Sequence, residues 1–106
     1  MDIKDHEILN RLKRLLQKRV WVYKIILFGS RARGDAEPDS DMDVLVILDE
    51  PGTPDKREAV SDCAWEAGFG EGRVVVPVVV SRTNWETGPE QASLLAIAVR
   101  EEGVTI

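Results

Sequence analysis

The chain has 106 residues, 43% hydrophobic and 31% charged, with a net charge of −5, which suits one domain with a modest core and argues against a general nucleic-acid coat. Cys63 is the only cysteine and His6 the only histidine, so there is no intramolecular disulfide and no ligand set for structural zinc. No apolar run approaches the roughly 20 residues that span a bilayer, and the polar start "MDIKDHEILN" does not read as a signal peptide, so a single cytoplasmic domain over residues 1–106 is expected.

Residues 3–19 read as an amphipathic helix, with Ile8, Leu9, Leu12, Leu15 and Leu16 at helical spacing. Asp2 and Asp5 suit the dipole at its start, and its basic residues read as a solvated face. Residues 21–28, "WVYKIILF", predict a strand. Residues 43–49, "DVLVILD", predict a second, apolar past Asp43 and therefore central and buried on both faces. Thr53 and Pro54 suit the cap and first position of a helix. Its inward stripe is Ala59, Val60, Cys63, Ala64 and Ala67, and its end lies near Gly68. Residues 73–80 give a third strand, placed at an edge or bulged because Pro77 donates no ladder hydrogen bond. "SRTNWETGPE" reads as a connecting turn region. Residues 89–102 predict a last helix with Ala92, Leu95, Ala96 and Val99 inward, closed by Gly103. The fold class is α/β (α+β), a small mixed sheet flanked by helices.

The chemistry concentrates at residues 29–43. Gly29 comes directly off a strand, where the lack of a Cβ allows a sharp turn and close approach of an anion. Ser30 adds a hydroxyl beside backbone amides suited to phosphate oxygens, and Arg31 and Arg33 add positive charge. Asp41 and Asp43, two apart at a strand start, leave the same face about 7 Å apart at their Cα atoms. Two such carboxylates repel unless a cation lies between them, and Mg²⁺ is commonly held by one or two carboxylates plus substrate phosphates. A phosphate cradle beside a cation site is the pairing that phosphoryl and nucleotidyl transfer use. Each half alone is a weak signal, since an Asp-x-Asp pair more often caps or solubilises a strand end. The combination is far more specific.

"GSRARGDAEPDSDMDVLV" resembles the signature of the DNA polymerase β-like nucleotidyltransferase superfamily: Gly-Ser, ten residues, Asp-x-Asp. The element order and the closing "REEGVTI" are similar to its minimal stand-alone members, the nucleotidyltransferase antitoxins paired with HEPN-domain proteins. The resemblance implies that Gly29, Ser30 and Arg33 hold the phosphates of ATP or another nucleoside triphosphate while Asp41 and Asp43 bind Mg²⁺. It also implies transfer of AMP from ATP to a tyrosine of a HEPN-type toxin partner. Active relatives carry a third carboxylate on the next strand, which helps activate the attacking hydroxyl. Here that strand reads "RVVVPVVVS", the expected position falls near Val76 or Pro77, and Glu71 just upstream is expected beyond the sheet.

Two readings stay open on these residues: an Mg²⁺-dependent transferase acting on a protein hydroxyl, or a catalytically weak or inactive nucleotide-binding antitoxin that works by binding its partner. A sensor of phosphate or nucleotide without a partner ranks below both. The base and the oligomeric state are open, a homodimer included. Trp21, Trp65 and Trp85 read as core or half-buried packing residues, and among them Trp85, in the turn region, is the best candidate for a partner surface. His6 reads as solvated and Cys63 as an inert apolar position.

Overall fold

The first helix, α1 (Ile3–Gln17), starts in a reciprocal cap: Asp2 accepts the Asp5 amide at 2.8 Å, and Asp5 accepts the Asp2 amide at 3.2 Å. In this computed structural model, which describes residues 1–89 and 93–106, it is followed by β1 (Val22–Phe28), α2 (Ser30–Arg33) and β2 (Met42–Leu48). Then come α3 (Pro54–Phe69), β3 (Val75–Ser81), α4 (Arg82–Thr87), α5 (Leu94–Glu102) and β4 (Val104–Thr105). The strands form one mixed sheet in the order β3-β2-β1-β4. β1 runs antiparallel to β2 and β4, whereas β2 and β3 are parallel.

β2 is central, and Val44 to Leu48 are all fully buried. Leu45 and Ile47 face Ile26, Val80 and Val99, with Trp85 and Leu95 packed against them. Val44, Val46 and Leu48 face the larger core built with Ile8, Leu12 and Leu16 of α1 and Val60, Cys63 and Ala64 of α3. Helices therefore cover both faces of the sheet, as a continuously apolar strand requires. β3 lies at the edge, where Pro77 withholds no hydrogen bond from the middle of the sheet. Among the described residues no helix is long and apolar enough to cross a membrane.

The expected strands and the first two long helices form within two residues of their predicted bounds, the usual scatter at element ends. The segment read as a turn contains α4, which Ser81 caps by accepting the Asn84 amide. α5 starts at Leu94 rather than residue 89; Ala92, expected inward, lies outside the described residues. Neither the single turn of α2 nor the two-residue β4 was predicted. Trp21 and Trp65, expected to pack, are instead 74% and 67% exposed, while Trp85 is half-buried against the sheet as a packing residue. Trp65 cannot point inward, because its helix already turns Ala64, Cys63 and Ala67 to the core. Cys63 is buried, burial pushes its thiol up, and it packs as an apolar residue. His6 is exposed.

Candidate functional site

The antiparallel pairing of β1 with β2 sets Phe28 opposite Asp43, so the turn leaving β1 begins beside the residue that opens β2. Gly29 takes φ +78°, a conformation that side chains resist, and a Cβ on it would lie 2.5 Å from Asp43 Oδ2. Glycine is therefore required twice over, for the turn and for the carboxylate lying against it. α2 then closes quickly: the Ser30 carbonyl accepts the Gly34 and Asp35 amides at 3.0 and 3.1 Å, and Gly34 reverses the chain at φ +83°.

Arg31 does not face this turn. It is 5% exposed and lies in the interior, which corrects its expected contribution of positive charge beside the phosphates. Its guanidinium donates to the carbonyls of Ser40 (2.8 and 3.1 Å) and Pro38 (3.1 Å), and pairs with the buried Asp5 at 3.3 Å. Asp5 is held in turn by Arg73. One buried cation thus ties the turn that carries Gly29 and Ser30 to the loop delivering Asp41, which gives the ten-residue interval between the two halves of the motif a physical reason.

Asp41 is exposed and precedes the strand; Asp43 is half-buried. Burial first, and then the neighbouring negative charge of Asp41, raise the Asp43 carboxyl above its ordinary value of 3.8, with the Glu102 carboxylate adding to the effect and Arg33 opposing it. Such crowding of negative charge is what a divalent cation relieves, so Asp41 and Asp43 are the two carboxylates that would hold Mg²⁺ here. Among the described residues no group of three or more acidic, histidine or cysteine side chains is set to hold a metal by itself. Arg33 is about half-exposed and pairs with Asp35 and Glu102. Glu102 was missed as a member of this constellation: its position in "REEGVTI" carries no local signal, and the packing of α5 and the pairing of β4 on β1 bring it here.

Strand β3 itself carries no acid. Val76 is the Cα partner of Asp43 across the parallel pair and is 37% exposed, with Pro77 partnering Val44. Glu71 lies in the turn after α3 and pairs with Arg11 at 3.9 Å, as its expected place beyond the sheet requires. A cavity of about 610 Å³, lined by Asp49, Gly52, Ser81 and Arg82, opens at the other end of β2 and β3 and takes no part in this arrangement.

The raised Asp43 carboxyl has a consequence for stability. The folded chain holds this proton more tightly than the unfolded one, so ionising Asp43 weakens the fold as pH rises through its raised value. Asp43→Asn is expected to raise the thermal midpoint at pH 7 and to leave it near the wild-type value at pH 3, where the acid is protonated in both states. A lower midpoint for the variant at pH 7 would show that Asp43 is not under this electrostatic load.

The model of the nucleotidyltransferase domain family matches residues 6–99. The chain is 44% identical over 48 residues to a "Putative protein adenylyltransferase" of Methanocaldococcus jannaschii, covering 45% of this chain and 48% of that one. It is 43% identical over 51 residues to the "Probable protein adenylyltransferase MntA" of Haemophilus influenzae, covering 48% and 44%. The chain thus spans about half the length of these curated relatives. Among solved structures it is similar to a toxin-antitoxin with AMP-PNP (TM-score 0.62, 19% identity, 91% of this chain and 69% of that one). It is also similar to a chain of the tri-AMPylated Shewanella oneidensis HEPN toxin in complex with MNT antitoxin (TM-score 0.60, 19% identity, 97% and 71%). At that identity the structural likeness speaks for the fold.

Proposed function

The chain belongs to the nucleotidyltransferase domain family, and from that premise we propose that it is an Mg²⁺-dependent protein adenylyltransferase of the minimal, antitoxin type. Its substrate is ATP and its acceptor a tyrosine hydroxyl of a HEPN-type toxin partner in the cytoplasm. The observation that carries this reading is the packing of the Asp43 carboxylate against the Gly29 turn, beside Ser30 and within the field of Asp41. A triphosphate seated on the Gly29–Ser30 amides would lie next to both aspartates. The names of the relatives and the AMP-modified toxin in a similar complex support the acceptor class.

In this reading Asp41 and Asp43 hold Mg²⁺, which when bound offsets the charge of the carboxylates and polarises the phosphate oxygens. The Gly29 amide and the Ser30 hydroxyl orient the phosphates, and Arg33 adds a cation at the rim. The acceptor oxygen attacks the α-phosphorus in line, pyrophosphate leaves, and the hydroxyl proton passes to a base. Val76, standing where that base is expected, favours the second reading, an antitoxin that binds nucleotide and partner with little or no transfer.

ATP is expected to bind weakly without Mg²⁺, because phosphate charge must approach two ionised aspartates. Calorimetry with and without Mg²⁺ measures this, and equal affinities would mean that the aspartates are not a metal site. Asp41→Asn combined with Asp43→Asn should abolish the metal dependence.

A further inference from the structure

Glu102, the last residue of α5, reaches over the Gly29 turn. Its Oε1 accepts the Gly29 amide at 3.0 Å, and its Oε1 and Oε2 lie 3.3 and 3.1 Å from Arg33 Nη1. The side chain is only 20% exposed. Its backbone is fixed on both sides: the Gly103 amide donates to the Val99 carbonyl at 2.8 Å, and Val104 pairs with Leu27. A carboxylate and a phosphate make the same demand of an N–H donor and a guanidinium, and the Gly29 amide has one hydrogen to give. Two of the donors that a triphosphate would use at this turn, the Gly29 amide and Arg33, are thus taken by an anion of the chain itself.

We propose that Glu102 is a built-in competitor for the nucleotide's phosphates. Seated, it occupies the Gly29 amide and Arg33 and adds a third negative charge near Asp43; nucleotide binding displaces it and frees Arg33 for the phosphates. This rests on the reading of the site given above and assigns its regulation: α5 and β4 become the segment through which nucleotide occupancy is felt at the chain's C-terminal end. A merely positioning role, in which Glu102 holds Arg33 ready for the nucleotide, predicts the opposite change in affinity.

Calorimetric titration of the full chain with MgATP separates the two, using wild type, Glu102→Gln and Glu102→Ala, with Asp43→Asn as reference. A carboxylate seated about nine-tenths of the time lowers apparent affinity about tenfold. Both Glu102 variants should therefore bind MgATP about tenfold more tightly, the alanine at least as tightly as the glutamine, whose carbonyl can still accept the Gly29 amide. Equal or weaker binding by both variants overturns the proposal. If affinity still falls in Asp43→Asn, the nucleotide site itself survives that result. No MgATP binding by any of the four proteins would overturn the site and the competitor together.

Discussion

Asp5→Asn is expected to lose about 3–5 kcal/mol of folding stability, the usual cost of removing one member of a buried ion pair. Asp5 is 2% exposed and stands between two guanidiniums, Arg73 Nη1 at 2.6 Å and Arg31 Nη1 at 3.3 Å. Arg73 keeps Asp2 when the charge at position 5 is lost, but Arg31, itself 5% exposed, keeps only neutral carbonyl acceptors. Its charge is then buried without an opposite one, while asparagine preserves the shape but has a single carbonyl oxygen, which can serve the Asp2 amide or the guanidiniums and not both. Urea unfolding measures the loss, and because the pair is shielded from solvent the loss should be nearly the same at low and high salt. A loss under about 1 kcal/mol would mean that Arg31 finds water or another anion once Asp5 is neutral. The effect extends to the candidate site, since Arg31 also pins the Pro38 and Ser40 carbonyls just before Asp41.

Asp5 and Arg31 also mark where the sequence stops being legible. Asp5 sits in a first helical turn, where an acid is accounted for by the cap and the dipole, and the structure keeps that cap. That it is also a core anion depends on Arg73, 68 residues away, which no local pattern reports. Arg31 lies inside a phosphate-type motif, so its charge invites the wrong assignment; the half-exposed Arg33 is the one that stays at the rim. By contrast the apolar run of β2 and the edge position forced by Pro77 were legible, because each follows from backbone geometry alone, whereas Asp41 lies just before β2 rather than in it. The outward turn of Trp65 was legible too, in the inward stripe around it, but the weight usually given to aromatics in cores concealed it. β4 has two residues, too few for any periodicity, and Glu102 reaches the site through the packing of α5 and the pairing of β4 on β1.

Val76→Asp is expected to raise AMP transfer to a cognate HEPN partner by about 10²–10⁴, the range a positioned general base contributes. The parallel pairing of β2 and β3 makes Val76 the Cα partner of Asp43, so a side chain there leaves the same face of the sheet as the proposed metal ligand. Val76 is already 37% exposed on an edge strand, where a carboxylate keeps contact with water and the fold can accept it. Glu71, the nearest acid upstream on the chain, is engaged with Arg11. The missing base corresponds to roughly 3–5 kcal/mol of barrier, because the acceptor hydroxyl must lose its proton as its oxygen attacks the α-phosphorus. Wild type should therefore transfer slowly or not at all even where it binds MgATP. The assay follows label from α-labelled ATP into a co-purified partner, wild type against Val76→Asp, with Val76→Asn to separate the base from a new polar contact. Rapid transfer by wild type would show that another residue takes the proton, and Glu102, once displaced by nucleotide, would be the first acid to test. Transfer by neither protein, with MgATP bound to both, would leave an antitoxin that works by occupying its partner, its two aspartates serving nucleotide binding alone.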